Sequence, residues 1–502
     1  MGGKMNKKTI ITAAVIVVLV AALGVGAAIL IPRLGSDDST GAFWPTKGWR
    51  TSTPEQQGFD SVKLAEGLQN LKKNKALIDS LLIIRNGRVL LDAYFYPYDP
   101  SIPHDLASVT KSFTTTLIGL AIGQGKIQLD QPMLSFFPNR TIANLDDWKE
   151  SMTIRDLVSN TNGYESGCLT RDEPTLDAMR ATPDWVQQAL DRKMVREPGT
   201  SFCYDSPGMH LLSAIIQQAS GMTEQEYAQK NLFTPLGIQD VYWQADPQGY
   251  THGWGDLFLK PLDAAKLGYL WLNQGFWDGK QIIPPTWVTD SVKPYNSITP
   301  SDDYGYGWWV SEDSYFAFGR GGQTIKVYPQ FNAIVVVTGN GFEYDQAGKI
   351  LEAAFIDPEN SLPPNPSGVA KLESVVAALG QAAQPWPSSS MPDTARTISG
   401  KTYNLKPNPL GISYIRLEFN GNKEAKLFMN DDGQEVVWTV GLDGKYRMGD
   451  DGKAVRGYWS DPQTFVFEVF YDGLNIYKLR YADSKMTLET SVMKIEGVQQ
   501  NP

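Results

Sequence analysis

The sequence predicts a mixed α/β (α+β) protein: an antiparallel sheet flanked by helices with an all-helical region, then a small antiparallel β-barrel. Three observations predict it. Strand-like apolar runs stand at both ends of the stretch 49–357, with helical patterning between them. Composition turns to Pro, Ser and Ala over 358–397, as in a linker. From 398 to 502, short apolar–polar alternations are separated by Gly, Asn and Asp, the pattern of a barrel or sandwich. Strands at both ends of the first domain predict one sheet assembled from its first and last parts.

The N-terminus carries a different signal. Lys4, Lys7 and Lys8 precede an uncharged apolar run over 10–31, closed by Pro32 and Arg33. A run of about 22 residues is long enough to cross a bilayer, so 1–33 reads as a transmembrane helix anchoring the protein in the membrane. Basic residues on its N-terminal side put the remainder of the chain outside the cytoplasm. The alternative is a signal peptide cleaved near Gly26-Ala27-Ala28, and the secreted body then lies on the same side. Residues 34–48 read as a polar linker.

A chain of 502 residues with 42% hydrophobic composition can bury two or three cores. Its net charge of −10 argues against nucleic acid as a partner, because phosphate binding needs a basic face. Cys168 and Cys203 are the only cysteines. Outside the cytoplasm they can form a disulfide, and two separate buried thiols are the alternative. With His104, His210 and His252 scattered, no ligand spacing points to a metal, and no cofactor motif appears.

Apolar residues at Val62, Leu64, Leu68 and Leu71 predict a helix. Two apolar runs over 80–85 and 88–95 flank Asn86-Gly87, which predicts a hairpin with both turn residues at positive φ. The next helix runs to about Gln124, with Gly123 and Gly125 as stop signals. Further helices are predicted over 211–220, 261–273 and 346–355, and strands over 315–318 and 334–338. Beyond 398, strands are predicted at 415–419, 425–429, 436–440, 465–470 and 476–480.

The chemistry begins at Ser108-Val109-Thr110-Lys111. Residues three apart share a helix face, so the lysine amine can reach the serine hydroxyl. A hydroxyl beside a basic amine is the minimum for covalent acyl transfer. Val109, Phe113, Leu117 and Leu120 support the helix, and a serine at its start offers a free backbone N–H to an oxyanion. Ser491-x-x-Lys494 repeats the spacing in a strand pattern, where residues three apart point to opposite faces. A Ser-His-Asp triad through His104 is disfavoured, since no G-x-S-x-G elbow surrounds Ser108.

Two later segments extend the pattern: Tyr204-Asp205-Ser206, and Arg320-Gly321-Gly322-Gln323. With Ser108 and Lys111 they occur in the order found in the penicillin-recognising serine hydrolases, and the chain resembles that β-lactamase/transpeptidase superfamily over roughly 53–355. That resemblance includes connecting stretches such as Pro54-Glu55-Gln56-Gln57-Gly58, and the segments 263–269, Tyr304-Gly305-Tyr306-Gly307-Trp308-Trp309 and Gly321-Gly322-Gln323 are similar to the branch containing 6-aminohexanoate-dimer hydrolase.

The resemblance implies a β-lactamase-like catalytic domain at 49–357 and gives roles to residues. Ser108 is the acylated nucleophile, Lys111 and Tyr204 relay its proton, and the N–H groups of Ser108 and Gln323 form the oxyanion hole. Ser206, Arg320, Gly321, Gly322 and Trp254 are expected at the substrate, with Trp308 and Trp309 as further aromatic candidates. Lys111 near Tyr204 is expected to stabilise its phenolate. The sequence departs from β-lactamases at Arg320 in place of lysine, Gly321 in place of a hydroxyl donor, and Ser206 in place of asparagine. These departures favour a small amide or ester substrate. The alternatives are D,D-carboxypeptidase or β-lactamase activity, and a silent binding or sensor protein on the same fold. The C-terminal barrel (398–502), lipocalin-like in pattern, carries no catalytic constellation.

Overall fold

The computed structural model describes residues 43–168, 173–299, 301–381, 391–431, 434–449, 453–470, 474–490 and 492–500. The apolar segment 10–31 and Ser491 of the second Ser-x-x-Lys lie outside them. Among the described residues, no helix is long and apolar enough to cross a membrane.

Helix α1 (Ser61–Lys73) starts where the Asp60 carboxylate accepts from Val62 N at 2.8 Å, and it buries Leu64, Leu68 and Leu71 as their spacing predicts. The hairpin follows as β1 (Ile78–Arg85) and β2 (Arg88–Tyr94). Asn86 (φ 52°) and Gly87 (φ 71°) both take the left-handed conformation the turn requires. Helix α2 (Thr110–Gly123) is buried over most of its circumference, where one apolar face was expected. Its hydroxyls find carbonyls: Ser112 Oγ donates to Gly307 O at 2.6 Å and Thr114 Oγ1 to Gly253 O at 2.8 Å. That satisfaction lets a helix with so many Ser and Thr run through the centre.

Helix α3 (Ser206–Ser220) begins five residues before the predicted start, with Pro207 in its first turn. Helix α4 (Pro261–Leu272) is followed by β3 (Tyr315–Phe318), β4 (Thr324–Tyr328) and β5 (Ala333–Gly339). Then come α5 (Tyr344–Ala354) and α6 (Pro366–Leu379). The main sheet runs Arg50–Thr51, β2, β1, β5, β4, β3, then the short strands Trp309–Val310, Asp303–Tyr304 and Asn296–Ser297. β5 lies antiparallel to β1, with Ile334 opposite Ile84 and Val336 opposite Leu82. The two ends of the domain thus meet at the centre of one sheet.

Period-two alternation sorts these strands between two cores. Leu81, Ile83, Val335 and Val337 face α1, α5 and α6. Leu82, Ile84, Ile334 and Val336 face the layer holding Phe113, Leu117, Leu211 and Leu267. Helix α6, inside the expected linker, therefore packs on the catalytic domain through Leu372, Val375 and Leu379.

Ten strands from Thr402–Leu405 to Lys494–Gln499 form the C-terminal sheet among the described residues, and nine of them make a barrel that Gln434–Gly441 closes against Ala454–Asp461, with Arg447–Met448 appended. All five predicted strands are present. Those over 402–405, 447–448, 454–461, 485–489 and 494–499 are additional. Inward residues such as Ile415, Leu427, Phe465, Phe467 and Leu479 fill its core. Tyr96 joins barrel to catalytic domain: its hydroxyl donates to Gly444 O at 3.1 Å and accepts from Tyr446 N at 3.2 Å.

Candidate active site

Ser108 sits in a single 3-10 turn, Ala107–Val109, that feeds directly into α2. The turn begins with a residue in the left-handed region, Ala107, at φ 46°. Asp105 anchors it, its carboxylate accepting from Ala107 N at 2.8 Å. One helical turn on, Lys111 is 1% exposed. Its Nζ lies 2.9 Å from Ser108 Oγ and 2.9 Å from the Trp254 carbonyl, and 4.6 Å from the centre of the Tyr204 ring. The Tyr204 phenol lies close enough to Ser108 for the serine hydroxyl to act on it. Three segments from distant parts of the sequence therefore meet.

Burial sets the electrostatics. It pushes the Lys111 amine down to about 8, against the charges of Glu173, Asp205 and Asp256, which favour the ammonium. Burial also pushes the Tyr204 phenol up, Glu173 adds to the rise, and the Ser108 hydroxyl opposes it. The expectation of a Lys111-stabilised phenolate is corrected here. The ammonium lies over the ring face, and desolvation of the phenolate outweighs what help it gives. The arrangement makes lysine the more easily deprotonated partner.

Tyr204 is fixed through its neighbours. Asp205 takes a two-pronged contact from buried Arg192 (2.6 and 2.9 Å) and a third bond from Asn162 Nδ2 at 2.9 Å. Ser166 Oγ donates to the Tyr204 carbonyl at 2.8 Å. Cys203, immediately before the tyrosine, is bonded to Cys168. No motif in the sequence marks Arg192 or Ser166, whose contacts join separate loops.

The 319–323 loop approaches from the other side. A Cβ on Gly319 would lie 2.7 Å from Leu106 O and 2.9 Å from Ser108 N, so only glycine lets the loop come this close. Sequence reasoning passed over Gly319, because its need arises from a backbone two hundred positions away. Among the described residues, neither Ser108 N nor Gln323 N donates to another protein group. The Gln323 side chain is turned to Gly339, donating to its carbonyl at 2.6 Å.

The expected substrate contacts separate. Ser206 is fully buried at the start of α3 and offers no exposed hydroxyl. Gly321 and Gly322 have a packing reason: a Cβ would lie 2.5 Å from Gly339 O and 2.2 Å from Phe342 O. Arg320 reaches towards Asp105 at 3.6 Å, with its guanidinium exposed. Trp254 is half-buried, and its carbonyl is the part that meets Lys111. Trp308 is wholly in the core, whereas half-buried Trp309 stacks with Tyr204 at 6.4 Å. His104 lies 3.6 Å from Asp79 and lines a small cavity with Asp105, Arg320 and Gly321. That cavity does not include Ser108, Lys111 or Tyr204.

Such a sheet-and-helix domain, with a serine–lysine–tyrosine cluster between its helical layer and a β3–β4 loop, defines a hydrolase of the β-lactamase fold. The family model described as Beta-lactamase matches residues 69–355, well over half of the chain, and the chain belongs to that family. It is 22% identical over 309 residues to the 6-aminohexanoate-dimer hydrolase of Paenarthrobacter ureafaciens, covering 57% of this chain and 79% of that protein. A Bacillus anthracis structure provisionally assigned as a 6-aminohexanoate-dimer hydrolase superposes with a TM-score of 0.50 at 19% identity, covering 67% of this chain and 89% of that one. EstCE1, described as a hydrolase with promiscuous acyltransferase activity, gives 0.50 at 19% identity over 59% of this chain and 99% of its own. At these identities the likeness shows the fold.

Proposed function

We propose that this protein is a serine hydrolase that cleaves a small amide or ester through an acyl-enzyme on Ser108. The observation that carries the reading is the buried Lys111 amine, 2.9 Å from Ser108 Oγ with its proton affinity lowered to about 8. A substantial fraction of such an amine is neutral near pH 7–8, which a solvated lysine is not.

In this reading neutral Lys111 takes the proton from Ser108 Oγ as the oxygen bonds to the substrate carbonyl carbon. The carbonyl oxygen becomes an oxyanion held by Ser108 N–H and an N–H from the 319–323 loop. The carbon–leaving-group bond breaks as Tyr204 gives its proton to the departing nitrogen or oxygen, and Lys111 returns a proton to the phenol. Water then repeats the sequence against the ester on Ser108, releasing the acid and restoring the hydroxyl. A relative named 6-aminohexanoate-dimer hydrolase and a structure described as a hydrolase with promiscuous acyltransferase activity share this fold, which supports acyl transfer from a small substrate.

The apolar segment 10–31 and the Cys168–Cys203 bond support a location outside the cytoplasm, with the body tethered to the membrane or secreted. A fluorophosphonate probe should label the wild-type protein and leave Ser108→Ala unlabelled. Turnover of p-nitrophenyl esters or short linear amides should disappear in the same variant, and labelling that survives the substitution would refute the assignment. Release of D-alanine from a peptidoglycan peptide would move the substrate to the cell wall.

A further inference from the structure

Behind Lys111 lie two buried imidazole–carboxylate pairs that the steps above leave unused. His252 Nδ1 is 2.8 Å from Asp256 Oδ2, and His210 Nε2 is 3.2 Å from Asp246 Oδ2. The first pair brackets the loop whose Trp254 carbonyl accepts from Lys111. A carboxylate accepts hydrogen bonds and donates none, so His252 Nδ1 carries the hydrogen. The His252 ring packs between Trp185, at 4.8 Å, and Trp254, at 5.3 Å.

The carbonyls of residues 252–255 all accept hydrogen bonds from side chains. Trp243 Nε1 serves His252 O at 2.9 Å and Gly255 O at 3.2 Å, Thr114 Oγ1 serves Gly253 O at 2.8 Å, and Lys111 Nζ serves Trp254 O at 2.9 Å. Asp256 closes the loop at φ 61°, a left-handed conformation that is unfavourable for a non-glycine residue and persists only where surrounding contacts impose it. The bond from His252 is such a contact. The loop is therefore clamped at its two ends, and the clamp decides where the Trp254 carbonyl stands.

We propose that His252 and Asp256 are a positioning pair for Lys111: their hydrogen bond ties the ends of the 252–256 loop so that the Trp254 carbonyl holds the amine against Ser108 Oγ. The inference rests on the reading of Lys111 as the proton carrier. Neither residue touches the reacting atoms. Asp256 has a second effect, since its charge joins those of Glu173 and Asp205 in favouring the ammonium. The titratable groups around the pair are the Lys111 amine, on which the Asp256 charge acts, the His210–Asp246 pair, whose imidazole lies 6.2 Å from that of His252, and Glu224, which reaches the loop through Thr114.

The test uses the full chain and a p-nitrophenyl ester, with kcat and KM followed against pH for Asp256→Asn, His252→Phe, His252→Asn and Ser108→Ala. Asp256→Asn keeps an acceptor oxygen and removes the charge, so the acid limb of kcat/KM should move to lower pH. His252→Phe keeps the ring stack and loses the donor, and should lower kcat by about 10–100-fold with KM nearly unchanged. His252→Asn keeps a nitrogen donor at the Nδ1 place and should retain most of the rate. An unmoved acid limb in Asp256→Asn, wild-type kcat in His252→Phe, or a larger loss in His252→Asn than in His252→Phe would each overturn the proposal. Should His252→Phe fail to fold, the near-isosteric Asp256→Asn decides. Turnover surviving in Ser108→Ala would instead defeat the underlying reading, so the two failures are distinct.

Discussion

A lysine sealed from water is a different acid from one on the surface, and the candidate site depends on that difference. With the amine lowered to about 8, kcat/KM should rise as pH increases through that value, because the neutral amine is the form that accepts a proton. A pH profile in which the acid limb falls well below 7 would contradict Lys111 as the base. Lys111→Arg keeps a cation but cannot deprotonate near neutrality, so it should be as inactive as Lys111→Ala. Tyr204→Phe should lose about 10²–10⁴-fold in kcat as a missing proton donor, and a near-normal rate would remove tyrosine from the relay. The serine–lysine pair was readable because i and i+3 share a helix face, and local spacing needs no tertiary knowledge. The direction of the Tyr204 shift was not readable, since it arises from packing of Trp309 and its neighbours around the ring.

Elements hold these side chains still, and the contacts that do so differ greatly in worth. Arg192 and Asp205 are 5% and 0% exposed, so Arg192→Ala leaves a carboxylate uncompensated in the interior beside Tyr204. That should cost about 3–5 kcal/mol in chemical denaturation. The Arg155–Asp130 pair is 43% and 73% exposed, and Asp130→Ala should cost no more than about 1 kcal/mol. Equal losses would mean that burial is not what sets the value of these pairs. The strands at the sheet centre were visible through β-branched, apolar runs such as 334–338, whose alternation assigns each residue to one core. Helix α3 was read short because Ser206 and Pro207 look like loop residues, although proline in a first helical turn is a start signal. Gly319 was invisible for a stronger reason: its constraint lies in the Leu106 carbonyl, not in its own neighbours.

At the scale of the molecule, the barrel has a core of its own, separate from those of the sheet-and-helix domain, and Tyr96 bridges the two. A chain ending at 391 should keep Ser108 reactive towards the probe while losing stability, with the Tyr96 hydrogen bonds contributing about 1–3 kcal/mol of the loss. A folded truncation with a dead serine would give the barrel a part in catalysis. Its existence was legible from alternation over 415–440 and 465–480. The strands over 454–461 and 494–499 escaped because Gly457 and Gly497 interrupt their pattern, and those over 402–405 and 485–489 because they are only four and five residues long.

The pairing of β1 with β5 also governs how the chain can be made. During synthesis, Ile78–Arg85 emerges some 250 residues before the strand that covers its inner edge, an interval read from their sequence separation. Until then a strand buried along its whole length in the finished fold, with Leu81 to Ile84 at its centre, presents an open ladder, the kind of edge that recruits other chains. Ribosome-bound fragments stopping before residue 333 should therefore associate with holding chaperones and precipitate when released, whereas fragments passing residue 355 should not.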